Sequence, residues 1–478
     1  MTDLEAQPKR KTNMLGLSTF DTIAFVIAGT LIVGIVGVLL MGDRVGVQID
    51  EIAPEVEGGS TQPITIQFSA PMNRVTVEAN FQTDPPLDGR FEWSEDSTTL
   101  NFHPDTPRAV DSTHTVTVLA GAESQRGRLF LNDFTASYTV RAPQALYLAP
   151  ANSAPQNIYA VDMANPDVPV QLTDSETGVF DFAVSPDGRM IAFAEYDDNV
   201  RDINIKLLHV DTELIQTLTA CLNATCTSPV WHPNGRSLVY VRVDGGQSFG
   251  TAQTRIWTVN TVGDSFDNAP LFDDNQMIGY APQWSADGLT IAFYDPSAPG
   301  ILIHDRVTQG IQFVPNPSGR MGALSADAQT LVFADFTRNP AQSATSFLQI
   351  TDLETGTTEV LTSPDDAVDD SIVAWHPNDG TLTIGRRYTD ERATQGIQLY
   401  SLHPETGALE ALIVDSRYTN AIYSWDPTGT FLIVQRFQLF EDDGERTSNG
   451  STEVWVYDSR DESLIQVGDN AFIPSWLP

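Results

Sequence analysis

The sequence predicts an all-β protein dominated by a seven-bladed β-propeller, with six blades as the alternative. The main observation is a short motif of the type Trp-Ser-Pro-Asp-Gly that recurs in steps of 47, 53, 40, 51, 50 and 51 residues. A repeat of this length matches one four-stranded propeller blade. In addition, each copy is followed by an apolar, β-rich run, and no long stretch of the region shows helical periodicity.

The recurring motif predicts a tight turn, and it is called the turn motif below. Proline presets φ, Asp or Asn tolerates turn geometry, and Gly accepts a positive φ. An apolar second strand follows the turn, and then come an alternating third strand and an outer fourth strand. The copies begin at Val184, Trp231, Trp284, Leu324, Trp375 and Trp425, and a shortened seventh begins at Trp476.

The blade count comes from the two ends of the repeat region. Three strand-like runs open it, at Ala145–Ala149, Asn157–Val161 and Val170–Thr173, and a lone strand closes it at Ala471–Trp476. Pairing the closing strand with the opening three completes a seventh blade and removes an exposed sheet edge.

Residues 144–478 resemble the WD40-like (PD40) repeats of TolB-type propellers. The turn motif followed by an Ile-Ala-Phe run, as at Ile191–Phe193 and Ile291–Phe293, carries this resemblance because it recurs in phase. TolB-type propellers have six blades, which is the origin of the six-bladed alternative. The resemblance implies a protein or peptide ligand.

The N-terminal segment predicts a single membrane span that contacts the lipid bilayer through residues 22–41. These residues form an uncharged apolar run, long enough to cross the hydrocarbon layer as a helix. Residues 1–21 contain Lys9-Arg10-Lys11, so the positive-inside rule places them in the cytoplasm and the rest of the chain outside. A cleaved signal peptide is the alternative, although the run is long and no A-x-A site follows it.

Residues 47–141 predict a compact β-sandwich of about seven short strands. The segments Phe68–Asn73, Thr98–Pro104 and Phe134–Val140 resemble bacterial Ig-like domains of the SbsA type. That resemblance implies a spacer module. The short junction Arg141-Ala142-Pro143 predicts a fairly fixed relation between the sandwich and the propeller.

The net charge of −37 and the pI of about 4.2 argue against nucleic acid as a partner, because phosphate binding needs clustered Lys and Arg. The acidity is typical of a solvated surface that keeps an exposed protein soluble. An acidic face for a basic partner or for cations is the alternative.

Cys221 and Cys226 are the two cysteines of the chain and form a candidate disulfide. Their close spacing allows a small closed loop, which would suit an oxidising compartment. Free thiols are the alternative. A zinc site is not expected, because only His232 lies nearby in the sequence. We expect neither a bound metal nor a cofactor.

No catalytic residues are predicted, and the chain is expected not to be an enzyme. The segment Gly246–Gly250 matches G-x-S-x-G, but a nucleophile elbow needs a strand that leads into a helix. The segment instead lies in a predicted hairpin loop. The sequence ends at Pro478, so no hydrolase domain is expected after the propeller. His232 and His376 take the Ser position of the turn motif, which predicts turn capping.

Charged residues just before several first strands predict a partner-binding face around the mouth of the central channel. Arg417 and Tyr418 suit a contact surface. Solvated loops are the alternative for the acidic positions. The acidic positions are Asp273, Asp274, Asp365, Asp366, Asp369 and Asp370.

Together these features predict a membrane-anchored, extracytoplasmic binding or scaffolding protein that uses one propeller face for a protein or peptide partner. One alternative is a propeller-based glycan-active hydrolase or lyase, which would need converging carboxylates in a pocket. The other is an envelope structural protein that self-associates.

Overall fold

The fold is defined by a computed structural model of the chain. It describes residues 19–40, 46–199, 201–245, 254–263, 266–272, 277–337, 345–392, 394–441, 443–447 and 450–478. The G-x-S-x-G segment Gly246–Gly250 lies outside the described residues.

One helix, α1 (Thr19–Leu40), precedes the β-structure. Its described side chains, at positions 23–36, are all exposed. Within the described residues, no helix is both long enough and apolar enough to span a membrane. The membrane span predicted over residues 22–41 is therefore not confirmed.

The next segment folds into a sandwich of two four-stranded sheets, with the short helix α2 (Arg74–Asn80) at its edge. The strand orders are β1-β3-β6-β5 and β2-β8-β7-β4. The strands are β1 Ile49–Ala53, β2 Glu57–Gly58, β3 Ile64–Phe68, β4 Phe81–Asp84, β5 Gly89–Trp93, β6 Thr99–Pro104, β7 Thr113–Val118 and β8 Phe134–Val140.

The sandwich core follows from strand alternation. In β3 and β7 every second side chain points inward, so that residues such as Ile64, Ile66, Val116 and Val118 are buried in one hydrophobic cluster. A Phe102-centred group of aromatic rings closes one side of the cluster. The two-sheet architecture is thus observed, whereas the kinship with Ig-like domains stays a prediction.

The described strands of residues 144–478 form seven successive four-stranded antiparallel meanders, numbered here as sheets 1 to 7, and the closing strand joins them into a ring. Sheets 2 and 3 are hydrogen-bonded into one eight-stranded sheet, because Ile203 of sheet 2 pairs in parallel with Thr225 of sheet 3. Sheet 1 comprises β9 Gln144–Ala149, β10 Asn157–Asp162, β11 Val170–Gln171 and the C-terminal β36 Phe472–Leu477. Sheet 2 comprises β12 Val179–Val184, β13 Met190–Tyr196, β14 Ile203–His209 and β15 Leu214–Thr217. Sheet 3 comprises β16 Ala224–Trp231, β17 Ser237–Asp244, β18 Thr254–Asn260 and β19 Asn268–Pro270.

The remaining four sheets repeat this meander. Sheet 4 comprises β20 Tyr280–Trp284, β21 Thr290–Asp295, β22 Gly300–Asp305 and β23 Ile311–Pro315, and sheet 5 comprises β24 Ala323–Leu324, β25 Thr330–Thr337, β26 Thr345–Asp352 and β27 Thr357–Val360. Sheet 6 comprises β28 Val368–Trp375, β29 Leu382–Tyr388, β30 Gln398–Leu402 and β31 Leu409–Ile413, and sheet 7 comprises β32 Tyr418–Trp425, β33 Phe431–Gln438, β34 Thr452–Asp458 and β35 Ser463–Asp469.

The ring is closed by pairing between its two ends. Strand β36 is antiparallel to β9, with Trp476 opposite Ala145 and Leu477 opposite Gln144. It also contacts the first strands of the sheets on either side, β32 and β12. The pairing gives sheet 1 its inner strand and joins the last sheet to the second one.

Antiparallel order gives the ring two different faces. The connections from first to second strand and from third to fourth strand lie on one side, which we call the motif face because it carries the turn motifs. The connections from second to third strand, and from one sheet to the next, lie on the opposite side, which we call the loop face.

In the three copies with serine, at Ser185, Ser285 and Ser325, the turn motif closes through the same hydrogen bonds. In sheet 2 the Ser185 hydroxyl donates to Asp187 Oδ1 at 2.6 Å and accepts from the Met190 amide at 2.9 Å. Gly188 has φ of 71° there, and the divergent copy in sheet 5 places Ala328 at φ of 55° instead. A side chain at such φ is strained, so sheet 5 keeps the turn at a conformational cost.

Histidine replaces the turn serine in two copies and links neighbouring turns. His232 Nδ1 accepts from the Asn234 amide at 3.1 Å, which leaves Nε2–H to donate to the Gly288 carbonyl of the next turn at 3.1 Å. His376 makes the same pair of contacts with Asn378 and Gly429. These histidines cap turns, as their place in the repeat predicts.

Among the repeated tryptophans at the ends of first strands, Trp284 Nε1 is buried without a hydrogen-bond partner in the described residues. The other four tie their sheet to the preceding one, because each donates its indole N–H across the gap. The pairs are Trp231 with the Ala183 carbonyl (3.0 Å), Trp375 with the Ala323 carbonyl (3.1 Å), Trp425 with Thr383 Oγ1 (2.8 Å) and Trp476 with the Ser424 carbonyl (3.0 Å).

Replacing Trp476 is expected to weaken ring closure. Trp476 is 5 % exposed and packs on Phe431, so Trp476→Ala should lower the free energy of unfolding by about 3–5 kcal/mol. Trp476→Phe keeps most of the packing and should cost about 1 kcal/mol for the lost hydrogen bond. Urea unfolding of the full-length protein measures both, with the exposed Val307→Ala as control. A loss below about 1 kcal/mol for Trp476→Ala would show that the closing strand does not hold the ring.

Candidate functional site

Of the charged residues that the sequence singled out, those that the structure describes lie at the loop face, and their surroundings differ. Asp273 and Asp274 lie outside the described residues. Asp365 and Asp366 lie in an exposed turn before β28, where their backbone amides bond to Ser363. Their carboxylates face solvent, as expected of a solvated loop.

Asp369 and Asp370 belong to strand β28 and not to the preceding loop, which corrects the prediction for this pair. The side chain of Asp370 is fully buried and accepts two hydrogen bonds from Arg386, at 2.6 and 2.8 Å. The strand begins earlier than expected because Asp370 lies opposite Arg386 in the ladder, and this pairing compensates the buried charge. Asp370 is therefore not a contact residue.

Asp369 points the other way and joins two sheets. It accepts hydrogen bonds from the backbone amide and hydroxyl of Ser346 in sheet 5 and from Arg387 Nη2, the last at 2.6 Å. Burial by itself would raise the pKa of Asp369, but these hydrogen bonds lower it below the ordinary value. The carboxylate holds Arg387 in place, and the Arg387 side chain remains 46 % exposed.

Arg417 and Tyr418 lie at the corresponding end of sheet 7. Asp415 holds Arg417 through two bonds, at 2.9 and 3.1 Å, and the hydrogen bond from Arg417 lowers the pKa of that carboxyl. The Tyr418 ring lies under a second guanidinium, that of Arg436, at 4.0 Å from the ring centroid. Arg417 is about half exposed, whereas Arg436 is 1 % exposed.

Arg436 belongs to a repeat position that sequence reasoning missed. In each described sheet that has a full turn motif, a charged residue stands 11 positions after the first residue of the motif, at the loop-face end of the second strand. The signal was available as a charged position inside an otherwise apolar run. The residues are Glu195, Arg242, Asp295, Asp335, Arg386 and Arg436.

The positive charge at this position is compensated differently in sheets 6 and 7. Arg386 has Asp370 opposite it, but Arg436 has Asn420 opposite it. Within the described residues, Arg436 Nε and Nη2 and Asn420 Oδ1 are buried without hydrogen-bond partners, and the Asp415 carboxylate is 3.7 Å from Nη2. Burial lowers the pKa of Arg436, and stacking on Tyr418 and Trp455 offsets part of that cost.

A similar stack occurs in sheet 6. There the guanidinium groups of Arg386 and Arg392 lie over the Tyr388 ring, at 5.9 and 4.2 Å from its centroid. Asp390 holds Arg392 through an ion pair of 2.6 Å. These residues lie at the loop-face ends of the neighbouring sheets 6 and 7, and together they are called here the arginine cluster. Its members are Arg386, Arg387, Arg392, Arg417, Arg436, Tyr388, Tyr418 and Trp455.

A cavity of about 900 Å³ opens on the loop face between sheets 1 and 2. Five of its 13 lining residues are acidic, and one of them, the buried Glu195, forms an ion pair with Lys206. The other acidic residues that line it are Asp174, Glu176, Asp197 and Asp198.

Asp181 is a second group that sequence reasoning did not single out. It lies on first strand β12, and its Oδ2 accepts from the Ser228 amide of the next sheet at 2.7 Å. Its Oδ1 is buried and accepts no hydrogen bond from the described residues. Burial raises the pKa of Asp181 to about 7, although the hydrogen bonds from Ser228 offset part of this rise.

Cys221 and Cys226 are joined in a disulfide between sheets 2 and 3. In the part of the chain that the structure describes, no group of three or more His, Cys, Asp or Glu side chains is arranged to hold a metal ion.

No family model matches the sequence, and no curated protein matches it. Several solved structures resemble this chain, each at a TM-score below 0.5. The β-propeller domain of the Trilobed protease from Pyrococcus furiosus is 13 % identical with a TM-score of 0.46, over 80 % of this chain and 97 % of that one. TolB from Acinetobacter baumannii is 12 % identical with a TM-score of 0.40, over 84 % and 83 %. Oligogalacturonate lyase from Vibrio parahaemolyticus is 11 % identical with a TM-score of 0.46, over 68 % and 85 %.

One prediction is corrected. The expectation that this chain is not an enzyme does not stand, because an oligogalacturonate lyase is among the structures that resemble it. The physical reason is that a propeller supplies a scaffold, while the side chains placed on it decide the chemistry. The missing sequence motifs excluded only the chemistries to which those motifs belong.

Asp181→Asn is expected to change how stability depends on pH. The folded-state pKa of about 7 exceeds the ordinary value of 3.8, so the folded protein holds this proton more tightly, and the associated stability is lost as pH rises from about 4 through 7. Asn keeps the acceptor for Ser228 and carries no charge. The variant should match the wild type at pH 4 and exceed its free energy of unfolding by about 2–4 kcal/mol at pH 8.

The measurement is urea unfolding at both pH values, with the exposed Asp366→Asn as control. Equal stability of wild type and Asp181→Asn at pH 8 would contradict the burial argument.

Asp370→Asn is expected to destabilise sheet 6 strongly. It leaves Arg386, which is 11 % exposed, as a buried cation without its carboxylate. Breaking such a pair from one side costs about 3–5 kcal/mol. Thermal unfolding of the variant, compared with Asp366→Asn, checks this. A change as small as that of the control would mean that the pair is effectively solvated.

Proposed function

We propose that this chain is a membrane-anchored, extracytoplasmic binding or scaffolding protein. In this proposal residues 22–41 form the anchor, residues 47–141 form an Ig-like module, and residues 144–478 form a seven-bladed TolB-like propeller. The loop face of the propeller receives a protein or peptide partner.

The arginine cluster is the observation that carries the proposal. Arg and the aromatic residues Tyr and Trp are the types most enriched among the residues that dominate protein–protein binding energy. Here they lie together on one face of a chain that has only 26 Lys and Arg against 63 Asp and Glu.

The cluster is also prepared for contact before a partner arrives. Arg387, Arg392 and Arg417 keep about half of their side-chain surface exposed. A carboxylate on the same sheet fixes each of them, so little conformational entropy remains to be lost on binding. Arg386 and Arg436 form a buried layer beneath them.

Electrostatics favour the same region. Each exposed guanidinium of the cluster is balanced by one aspartate, so this surface is close to neutral, whereas the chain as a whole carries −37. A partner of either sign meets less local repulsion or desolvation cost here than over uncompensated carboxylates.

The test is cross-linked capture from native membranes with the intact protein as bait. The variant Arg387→Gln with Arg417→Gln removes two exposed members and keeps their size. Loss of two such contacts should weaken partner capture by about tenfold or more. The matched control, Arg126→Gln with Arg306→Gln, changes the net charge equally at exposed positions away from the loop face.

Selective loss of a captured protein in the loop-face variant supports the proposal. Equal capture by both variants would exclude the arginine cluster as the binding surface. Capture of only the protein's own copies would favour self-association.

A further inference from the structure

The sandwich and the propeller touch on the motif face, through two turns that differ from the others in sequence. In sheets 2 and 3 an arginine directly follows the turn glycine, as Gly188-Arg189 and Gly235-Arg236. The other full copies have Leu289, Gln329, Thr381 and Thr430 in this position. Both of these arginines reach the sandwich.

The contacts are specific and polar. Arg189 Nη2 donates to Thr65 Oγ1 on β3 at 2.6 Å. Arg236 Nη2 lies 3.1 Å from Glu92 Oε1 on β5. Glu92 is held in turn by His103 of the adjacent strand β6, whose Nε2 is 3.3 Å from Oε2.

Further contacts place the sandwich over four consecutive sheets. Asp111 pairs with Arg460, in the third-to-fourth turn of sheet 7, at 3.0 Å. Arg141 donates to the Pro478 carbonyl at the end of sheet 1, at 3.3 Å. A Cβ on Gly59 would lie 2.2 Å from that same oxygen, so the two backbones approach as closely as glycine allows.

Val110 of the sandwich packs on the apolar core of sheets 7 and 1. Two clefts of about 280 and 290 Å³ remain between the sandwich and the turns, and both are bordered by His103 and Asp187. The hydrogen bonds and ion pairs at the edges of the clefts add direction to this contact.

We propose that the sandwich is a docked cap on the motif face, locked by Arg189 and Arg236, and not a spacer that swings on the 141–143 linker. The cap covers the motif-face side of sheets 7, 1, 2 and 3. Partner binding is thereby confined to the loop face. This last consequence rests on the proposed function, whereas the docking itself does not.

If the chain is anchored through residues 22–41, the cap also sets the orientation at the membrane. The sandwich follows the anchor directly in sequence and lies on the motif face. The loop face, with its arginine cluster, then points away from the bilayer.

The test uses tryptic cleavage after Arg141 in the full-length protein, followed by mass spectrometry of the fragments. In the docked state Arg141 is part-buried and bonded to Pro478, so cleavage there reports undocking. Arg236→Glu turns an attraction to Glu92 into a repulsion and should speed this cleavage at least about fivefold. The same cleavage should accelerate with added salt, because the ion pairs are partly exposed.

The reversed pair Arg236→Glu with Glu92→Arg should restore slow cleavage, which a variant that merely misfolds would not do. Arg306→Glu lies on the motif face in sheet 4 and contacts no described sandwich residue, so it is the matched control. Gly59→Ala should also speed cleavage, since its Cβ would collide with the Pro478 carbonyl.

Unchanged cleavage in Arg236→Glu, or acceleration that the reversed pair does not cure, would overturn the docked cap. The assay contains no partner, so its outcome is independent of the capture experiment. If the loop-face variant loses capture and Arg236→Glu does not change the cleavage, the proposed function is upheld and only the docked cap is rejected.

Discussion

The structure depends on the ladder between β36 and β9, which joins residues more than 300 positions apart. Without it, sheet 1 has three strands and sheet 7 has an uncovered side. Closure of so long a loop costs conformational entropy, and burial of Trp476 and Leu477 between sheets offsets that cost. Once the ring is closed, antiparallel order alone fixes which connections share a face.

The two faces then acquire different roles from small changes in a common repeat. On the motif face, an arginine after the turn glycine occurs only in the two turns that meet the sandwich, Arg189 and Arg236. On the loop face, the charged position at the end of the second strand is arginine in sheets 3, 6 and 7 and acidic in sheets 2, 4 and 5. The repeat supplies equivalent places, and single substitutions give each place its chemistry.

Burial separates the residues of the loop face into exposed side chains and buried side chains that hold them in place. Asp370 and Arg386 neutralise each other inside sheet 6, and Asp369 and Asp415 hold exposed arginines from below. Sequence reasoning treated the aspartates as one acidic surface, because a pair such as Asp369-Asp370 looks like a loop when its partners are unknown. The partners, Arg386 and Arg387, are about 17 residues away and meet them only across a ladder.

The sequence by itself determined the repeat, the turn chemistry and the all-β class, because these depend on local φ preferences and on the period of apolar residues. It also indicated the pairing of the last strand with the first three. Only the tertiary structure decided which charges are buried: Asp181 and Arg436 lie in apolar-looking strands, and nothing local reveals that one faces a neighbouring sheet and the other stacks on Tyr418. It also decided that the sandwich sits on the motif face, since that contact joins side chains from distant parts of the chain whose meeting depends on the closed ring.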